Sequence, residues 1–317
     1  VARISGQRYG QAVSVIQITE LTKRFPAVTA LDRLSVDIEP GVVGLVGANG
    51  AGKSTLIKIL LGLSKATSGR VSMLGLDVAN EGARVRQRVG YMPEHDCLPA
   101  DVSATEFVVH MARMSGLPAN AARERTADTL RHVGLNEERY RPIGGYSTGM
   151  KQRVKLAQAL VHDPEVVLLD EPTNGLDPAG RDEMLHLIRR IHTEFGISVL
   201  VTSHLLGELE RISDSVVVID AGRLLRSSAT SDFTRTSQQL AVEVTESTDA
   251  VAQALVAAGL QVERDSHLLL LQLVDDATYD TIRDTIAQLG VGMIRLEQRR
   301  HHIAEVFGRE DTDAGPA

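Results

Sequence analysis

The stretch Gly47-Ala48-Asn49-Gly50-Ala51-Gly52-Lys53-Ser54-Thr55 decides the fold. It reads glycine, four variable residues, then Gly-Lys and a hydroxyl residue, the phosphate-binding P-loop pattern. Val42 to Val46 ahead of it reads as a short buried strand, and Leu56 to Leu61 behind it as a helix. In that setting each residue type has a task. The glycines permit φ > 0 and let backbone N–H groups close on an anion. The helix start adds the positive end of its dipole. Lys53 can reach the β- and γ-phosphates of a nucleoside triphosphate, and the Ser54 hydroxyl can hold Mg²⁺. The candidate phosphate contacts are Gly47, Asn49, Gly50, Gly52, Lys53, Ser54 and Thr55. A glycine-rich turn that binds nothing is the bland alternative, and the strand–loop–helix setting speaks against it.

Three later segments narrow the class. Tyr146-Ser147-Thr148-Gly149-Met150-Lys151-Gln152-Arg153 precedes a helical pattern. Val166-Val167-Leu168-Leu169-Asp170-Glu171-Pro172-Thr173 is an apolar strand ending in two acids, followed by Asn174-Gly175-Leu176-Asp177. Leu200-Val201-Thr202-Ser203-His204 comes last. In order and spacing this set resembles the ATP-binding cassette (ABC) ATPases over about residues 15 to 225. The resemblance implies that Asp170 ends the Walker B strand and that Glu171 is the catalytic carboxylate. It makes Asp177 the D-loop aspartate and His204 the switch histidine, and puts Ser147 and Gly149 in the signature motif. It also puts Phe25 under the adenine. Each has a plainer reading: the two acids as turn caps, Ser147 and His204 as helix caps, Phe25 as core. Two acids ending a buried strand are costly without a cation, which favours the functional reading there.

Two positions depart from the commonest family pattern. Thr148 and Met150 stand where Gly and Gln are usual, and Glu94, in Tyr91-Met92-Pro93-Glu94, stands where the Q-loop has Gln. A carboxylate can still ligate Mg²⁺ beside Ser54 and Asp170, but it brings a charge. Both departures resemble a branch of single-cassette, drug-resistance-type exporter ATPases. That resemblance implies ATP and Mg²⁺ as cofactors and a separate transmembrane permease subunit, docked in the groove near Glu94. It also implies a second cassette, identical or homologous, stacked head to tail so that Ser147 of one faces the γ-phosphate on the other. The chain would then sit on the cytoplasmic, inner face of the cell membrane.

Composition sets bounds. The 317 residues suffice for one large domain and a smaller one. No apolar run approaches bilayer length, and no signal peptide is visible at the start. Cys97 is the single cysteine, which excludes an intrachain disulfide and suits a reducing compartment; a small filler role is expected for it. A net charge of −7 argues against a dedicated nucleic-acid binder. A soluble ABC ATPase working on nucleic acid or ribosomes remains the alternative, but one cassette, no long heptad run and no cysteine cluster disfavour it.

The expected organisation is α/β: a P-loop NTPase cassette with a mixed sheet core over residues 15–226, including a helical subdomain over about 103–160. Phe107, Val108, Met111 and Met114 are expected on one face of its first helix. Residues 1–14 read as a flexible start and 227–239 as a polar linker. Residues 240–307 read as strand, helix, strand, strand, helix, strand, a small α+β module of ferredoxin-like order. His301-His302 reads as a solvated pair rather than a metal site, and 308–317 as a disordered tail.

Overall fold

The computed structural model describes residues 14–300 except Asp96, Leu205, 231–235, Ser266, His267 and Asp276. The expected flexible start, the His301-His302 pair and the polar tail therefore lie outside the described residues. The chain divides into two compact units between Thr230 and Ser231.

The first unit holds two sheets. Strands β1 (Ile16–Phe25), β2 (Val28–Ile38), β4 (Ser68–Met73) and β5 (Leu76–Asp77) pair antiparallel in the order β2-β1-β4-β5. The alternation in β2 has a direct cause: Leu31, Leu34, Val36 and Ile38 are all buried, against Ile16, Ile18, Leu56 and Leu60 among others. The second sheet contains β3 (Val42–Val46), β6 (Val89–Met92), β7 (Val166–Asp170), β8 (Ser198–Ser203), β9 (Ser215–Asp220) and β10 (Arg223–Ala229). Its order is β10-β9-β3-β8-β7-β6, parallel except for β10. Strands β3 and β7 are buried along their whole length, which is why they read as unbroken apolar runs rather than alternating ones.

Helices α1 (Lys53–Leu60), α2 (Val78–Arg88), α6 (Pro178–Phe195) and α7 (Leu206–Ile212) complete this core. Helix α6 shows how locally its ends are specified. Asp177 caps it by accepting a hydrogen bond from Gly180 N–H, Pro178 starts it, and Gly196 ends it at φ +69°. The register runs straight across three strands: Leu45 on β3 opposes Thr202 on β8, which opposes Asp170 on β7. The loops that leave the C-terminal ends of these parallel strands therefore meet at one place.

The helical part holds α3 (Ala104–Met114), α4 (Ala119–His132) and α5 (Thr148–Leu160). A capping box starts α3: Ser103 accepts from Glu106 N–H, and the Glu106 carboxylate accepts from Ser103 N–H. Such caps contribute about 1 kcal/mol. The expected apolar face of α3 needs correcting. Ala104, Val108 and Ala112 are its buried stripe, at four-residue spacing, whereas Met114 is 72% exposed. Met114 follows Ala112 by two positions and so points about 200° away from it. Cys97, expected as a filler, is exposed in the loop after β6.

The described ends of the expected polar linker lie in strands, while 231–235 fall outside the described residues. Strand β10 runs to Ala229 and β11 (Thr236–Val244) begins three residues before the linker was to end. Ladder pairing with β9 holds Ser227 and Ser228 in strand despite their polarity, because it satisfies their backbone groups. The second unit continues with α8 (Thr248–Ala257), β12 (Val262–Asp265), β13 (Leu268–Gln272), α9 (Ala277–Gln288) and β14 (Met293–Arg300). Its antiparallel sheet has the order β12-β13-β11-β14, that of the split βαβ or ferredoxin-like arrangement. Val251, Leu255, Ile282 and Ile286 of its helices pack on Leu240, Val242, Leu269 and Leu271, giving this unit its own core.

Candidate active site

The P-loop wraps from β3 into α1. Two glycines are sterically required. A Cβ at Gly47 would lie 2.3 Å from the Ile219 carbonyl oxygen, and Gly52 holds φ +105° with the Ala30 carbonyl 2.5 Å from where a Cβ would be. Lys53 is buried, and its ammonium donates to the carbonyls of Gly47 (2.6 Å) and Ala48 (3.4 Å). The same ammonium lies 3.9 Å from the Glu171 carboxylate.

The acid pair stands at the end of β7. Asp170 is buried, and its Oδ1 accepts the Thr202 hydroxyl at 2.8 Å. The Thr202 oxygen in turn accepts from Glu171 N–H at 2.9 Å. Burial pushes the Asp170 carboxyl above the usual carboxylate range against the Thr202 hydrogen bond; the charges of Glu94 and Glu171 push the same way, and Lys53 opposes them. Burial first, and then the charges of Asp170, Cys97 and Glu94, push the half-buried Tyr91 hydroxyl up to about 12. Glu171 sits at φ +50°, a conformation rare for a residue with a side chain and one that gathers at functional sites. Its Oε2 pairs with His204 Nδ1 at 2.8 Å.

A cavity of about 310 Å³ collects these groups. It is lined by Ala48, Asn49, Gly50, Gly52, Lys53, Ser54, Thr55, Glu94, Asp170, Glu171 and His204, with Ala30 and Asn174. Ser54 is exposed toward it while Lys53 behind it is buried. A divalent cation suits this donor set: one hydroxyl, a buried carboxylate whose charge is under-compensated, and a second carboxylate at Glu94.

Other sequence candidates lie off this cavity. Ser147 caps α5, accepting from Met150 N–H at 3.3 Å, and Gly149 follows in its first turn. Asp177 caps α6. Phe25 is 45% exposed beside Val28 at the β1–β2 tip, with the Lys23 ammonium 4.9 Å from its ring centroid. This exposure removes the core reading of Phe25.

Sequence reasoning missed two supports. Thr202 bridges Asp170 and Glu171; its only signal was a hydroxyl directly after the aliphatic run Val199 to Val201. Lys155, buried on α5 between Val154 and Leu156, donates to the Glu94 carbonyl at 2.8 Å and so ties the helical part to the Q-loop.

Strand-end phosphate loop, acid pair and histidine together define a P-loop nucleoside-triphosphate site. Comparisons give the family. Residues 31–174 match the family model described as ABC transporter. The chain is 38% identical over 213 residues to the bacitracin transport ATP-binding protein BcrA of Bacillus licheniformis, covering 67% of this chain and 69% of that one. It is also 38% identical over 219 residues to the Nod factor export ATP-binding protein I of Burkholderia pseudomallei (strain K96243), covering 69% and 72%. The structure of cbiO1 from Clostridium perfringens, part of the ABC transporter complex cbiONQ, superposes with a TM-score of 0.63 at 28% identity, covering 69% and 90%. The chain belongs to the ABC transporter family, as an ATP-binding subunit.

Proposed function

We propose that this chain hydrolyses MgATP as one of two stacked cassettes and thereby powers a separate transmembrane permease in export. The observation that carries the reading is the buried Glu171 carboxylate, held by His204 and lying 3.9 Å from Lys53 at the mouth of the phosphate loop. Lys53 and the loop N–H groups hold the phosphates, and neutralise charge as it moves onto the leaving group. Ser54, Asp170 and Glu94 would hold Mg²⁺, which supplies charge neutralisation at the β- and γ-phosphates. Glu171 orients the attacking water and accepts its proton at a carboxylate oxygen. His204 fixes that carboxylate and senses the γ-phosphate. Phe25 stacks on the base, its exposed ring being available for this.

Ser147, Gly149 and Asp177 serve the other cassette's nucleotide. Their distance from this chain's own cavity fits that role, since the helix start at Ser147 favours an anion from outside. The second cassette is a copy of this chain or a homologue. A membrane partner is needed because, among the described residues, no helix is long and apolar enough to cross a membrane. The bound permease places the cassette on the inner face of the cell membrane. Export is supported by the name of the Nod factor relative. The test is purification in mild detergent with mass-spectrometric identification of what accompanies the chain, followed by ATP-dependent transport in vesicles. A permease and ATP-driven efflux are expected. Ribosomal protein or nucleic acid in its place would overturn the transport reading.

A further inference from the structure

Among the described residues, beyond the strand ladder and the Thr202 bridge, the Glu171–His204 pair joins two loops through the Glu171 carboxylate alone, which also accepts from His204 N–H at 3.4 Å. Glu171 begins the loop after β7, and His204 the loop after β8. Their separation is a side-chain contact of 2.8 Å, so whatever fixes the two loops against one another fixes the pair. Besides Thr202, a second side chain does so. Glu208, in the first turn of α7, accepts the Thr173 hydroxyl at 2.7 Å and the Ser203 hydroxyl at 3.2 Å. Thr173 is two residues past Glu171 and Ser203 is one residue before His204. Both hydroxyl residues are buried, and the Glu208 side chain is 11% exposed.

Both hydrogen bonds end on the same oxygen, Oε2. The other oxygen, Oε1, is buried without a hydrogen-bond partner among the described residues, 4.0 Å from Arg181 Nε. A carboxylate set this deep for stability alone would be expected to satisfy both oxygens, because an unpaired buried acceptor costs about 1–3 kcal/mol. What the arrangement secures is a two-loop clamp through a single acceptor atom.

We propose that Glu208 is a positioning residue for ATP hydrolysis. It locks the loop after the acid strand to the end of β8 just before the switch histidine, and so sets the Glu171–His204 geometry. Glu208 is not among the residues lining the phosphate cavity; it acts through Thr173 and Ser203. This rests on the hydrolytic reading above. A shift of the pair by a fraction of an ångström lowers turnover, because misplacement near the reacting atoms is costly, while the phosphate loop on β3 and α1 is left alone.

The test uses the full chain, with Glu208→Ala, Glu208→Gln and the pair Thr173→Val and Ser203→Ala. Readouts are ATPase kcat and KM, affinity for a fluorescent ATP analogue, and melting temperature. Glu208→Ala should lower kcat about 10–100-fold, with KM and analogue affinity within about twofold. Glu208→Gln keeps an acceptor oxygen for both hydroxyls and should recover most of kcat, which a need for charge at Arg181 would not allow. Thr173→Val with Ser203→Ala should lower kcat as Glu208→Ala does, and adding Glu208→Ala to them should lower it little further. Unchanged kcat in Glu208→Ala, or parallel loss of kcat, analogue affinity and melting temperature without recovery in Glu208→Gln, would overturn the assignment. A wild-type chain that binds the analogue but shows no ATPase activity above Glu171→Gln would instead overturn the hydrolytic reading, and this inference with it.

Discussion

Replacing Glu171 by Gln changes almost nothing in volume but removes the carboxylate to which the proposed mechanism gives the proton from water. The amide keeps an acceptor for His204, so the 2.8 Å contact can persist. Loss of a general base costs about 10²–10⁴-fold in rate, which is about 2.7–5.4 kcal/mol on the barrier. Binding should move the other way. Glu171 lies 3.9 Å from the Lys53 ammonium and competes with phosphate for it. At that distance the attraction is about 4 kcal/mol at an effective dielectric of 20, before desolvation offsets part of it. Freed of this competitor, and without a negative charge facing the γ-phosphate, the site should hold ATP at least as tightly as in the wild type. Single-turnover hydrolysis and equilibrium binding of ATP to Glu171→Gln measure the two effects separately. A dimer that persists on size exclusion only with ATP should accompany them. Turnover within about threefold of wild type would remove Glu171 from its role. Loss of ATP binding would show that the carboxylate holds the site together rather than acting on water.

Phe25→Ala should weaken nucleotide binding by about 1–3 kcal/mol with little discrimination between bases, since stacking is base-tolerant; unchanged affinity by calorimetry would end the stacking assignment. Asp170→Asn should raise the nucleotide-free melting temperature by about 2–4 °C at pH 7.5 while abolishing any response to Mg²⁺. The sign follows from a carboxyl held above its unfolded value: the penalty on the fold grows as pH rises from the unfolded value, is complete above the raised folded value and is absent below the unfolded one, so the gap to the variant should close toward acid in a pH series of melts. A gap independent of pH would contradict this. A stop codon after Thr230 removes the second unit with its own core and should leave ATP affinity unchanged while altering dimer mass or coupled transport; a soluble fragment unable to bind ATP would refute the independence of the site.

What the sequence disclosed and what it hid differ in kind. Gly47 to Thr55, Asp170, Glu171 and His204 were legible because each sits next to its structural context in the chain: a strand before, a helix or turn after. Glu94 was legible as an oddity in a motif. Thr202, Lys155 and Glu208 were not, because each acts on a residue about thirty or more positions away, across strand pairs or between helix and loop. Their sequence signature is only a polar residue where burial is expected. Met114 and Cys97 misled for the converse reason: both are apolar by type, and neither was placed by a helical stripe that reached it. The split between units showed only as a rise in polarity, which strand pairing overrode at Ser227 and Ser228.

The straight register from Leu45 through Thr202 to Asp170 makes the sheet a gauge block. Phosphate loop and acid pair are two strand spacings apart, close to 10 Å. That length is fixed by backbone ladders, which side-chain substitution scarcely alters, and not by the loops. The second unit, which contributes no residue to this cavity, can therefore diverge without changing that spacing. An insertion or deletion inside β3, β7 or β8 would shift the register that sets it.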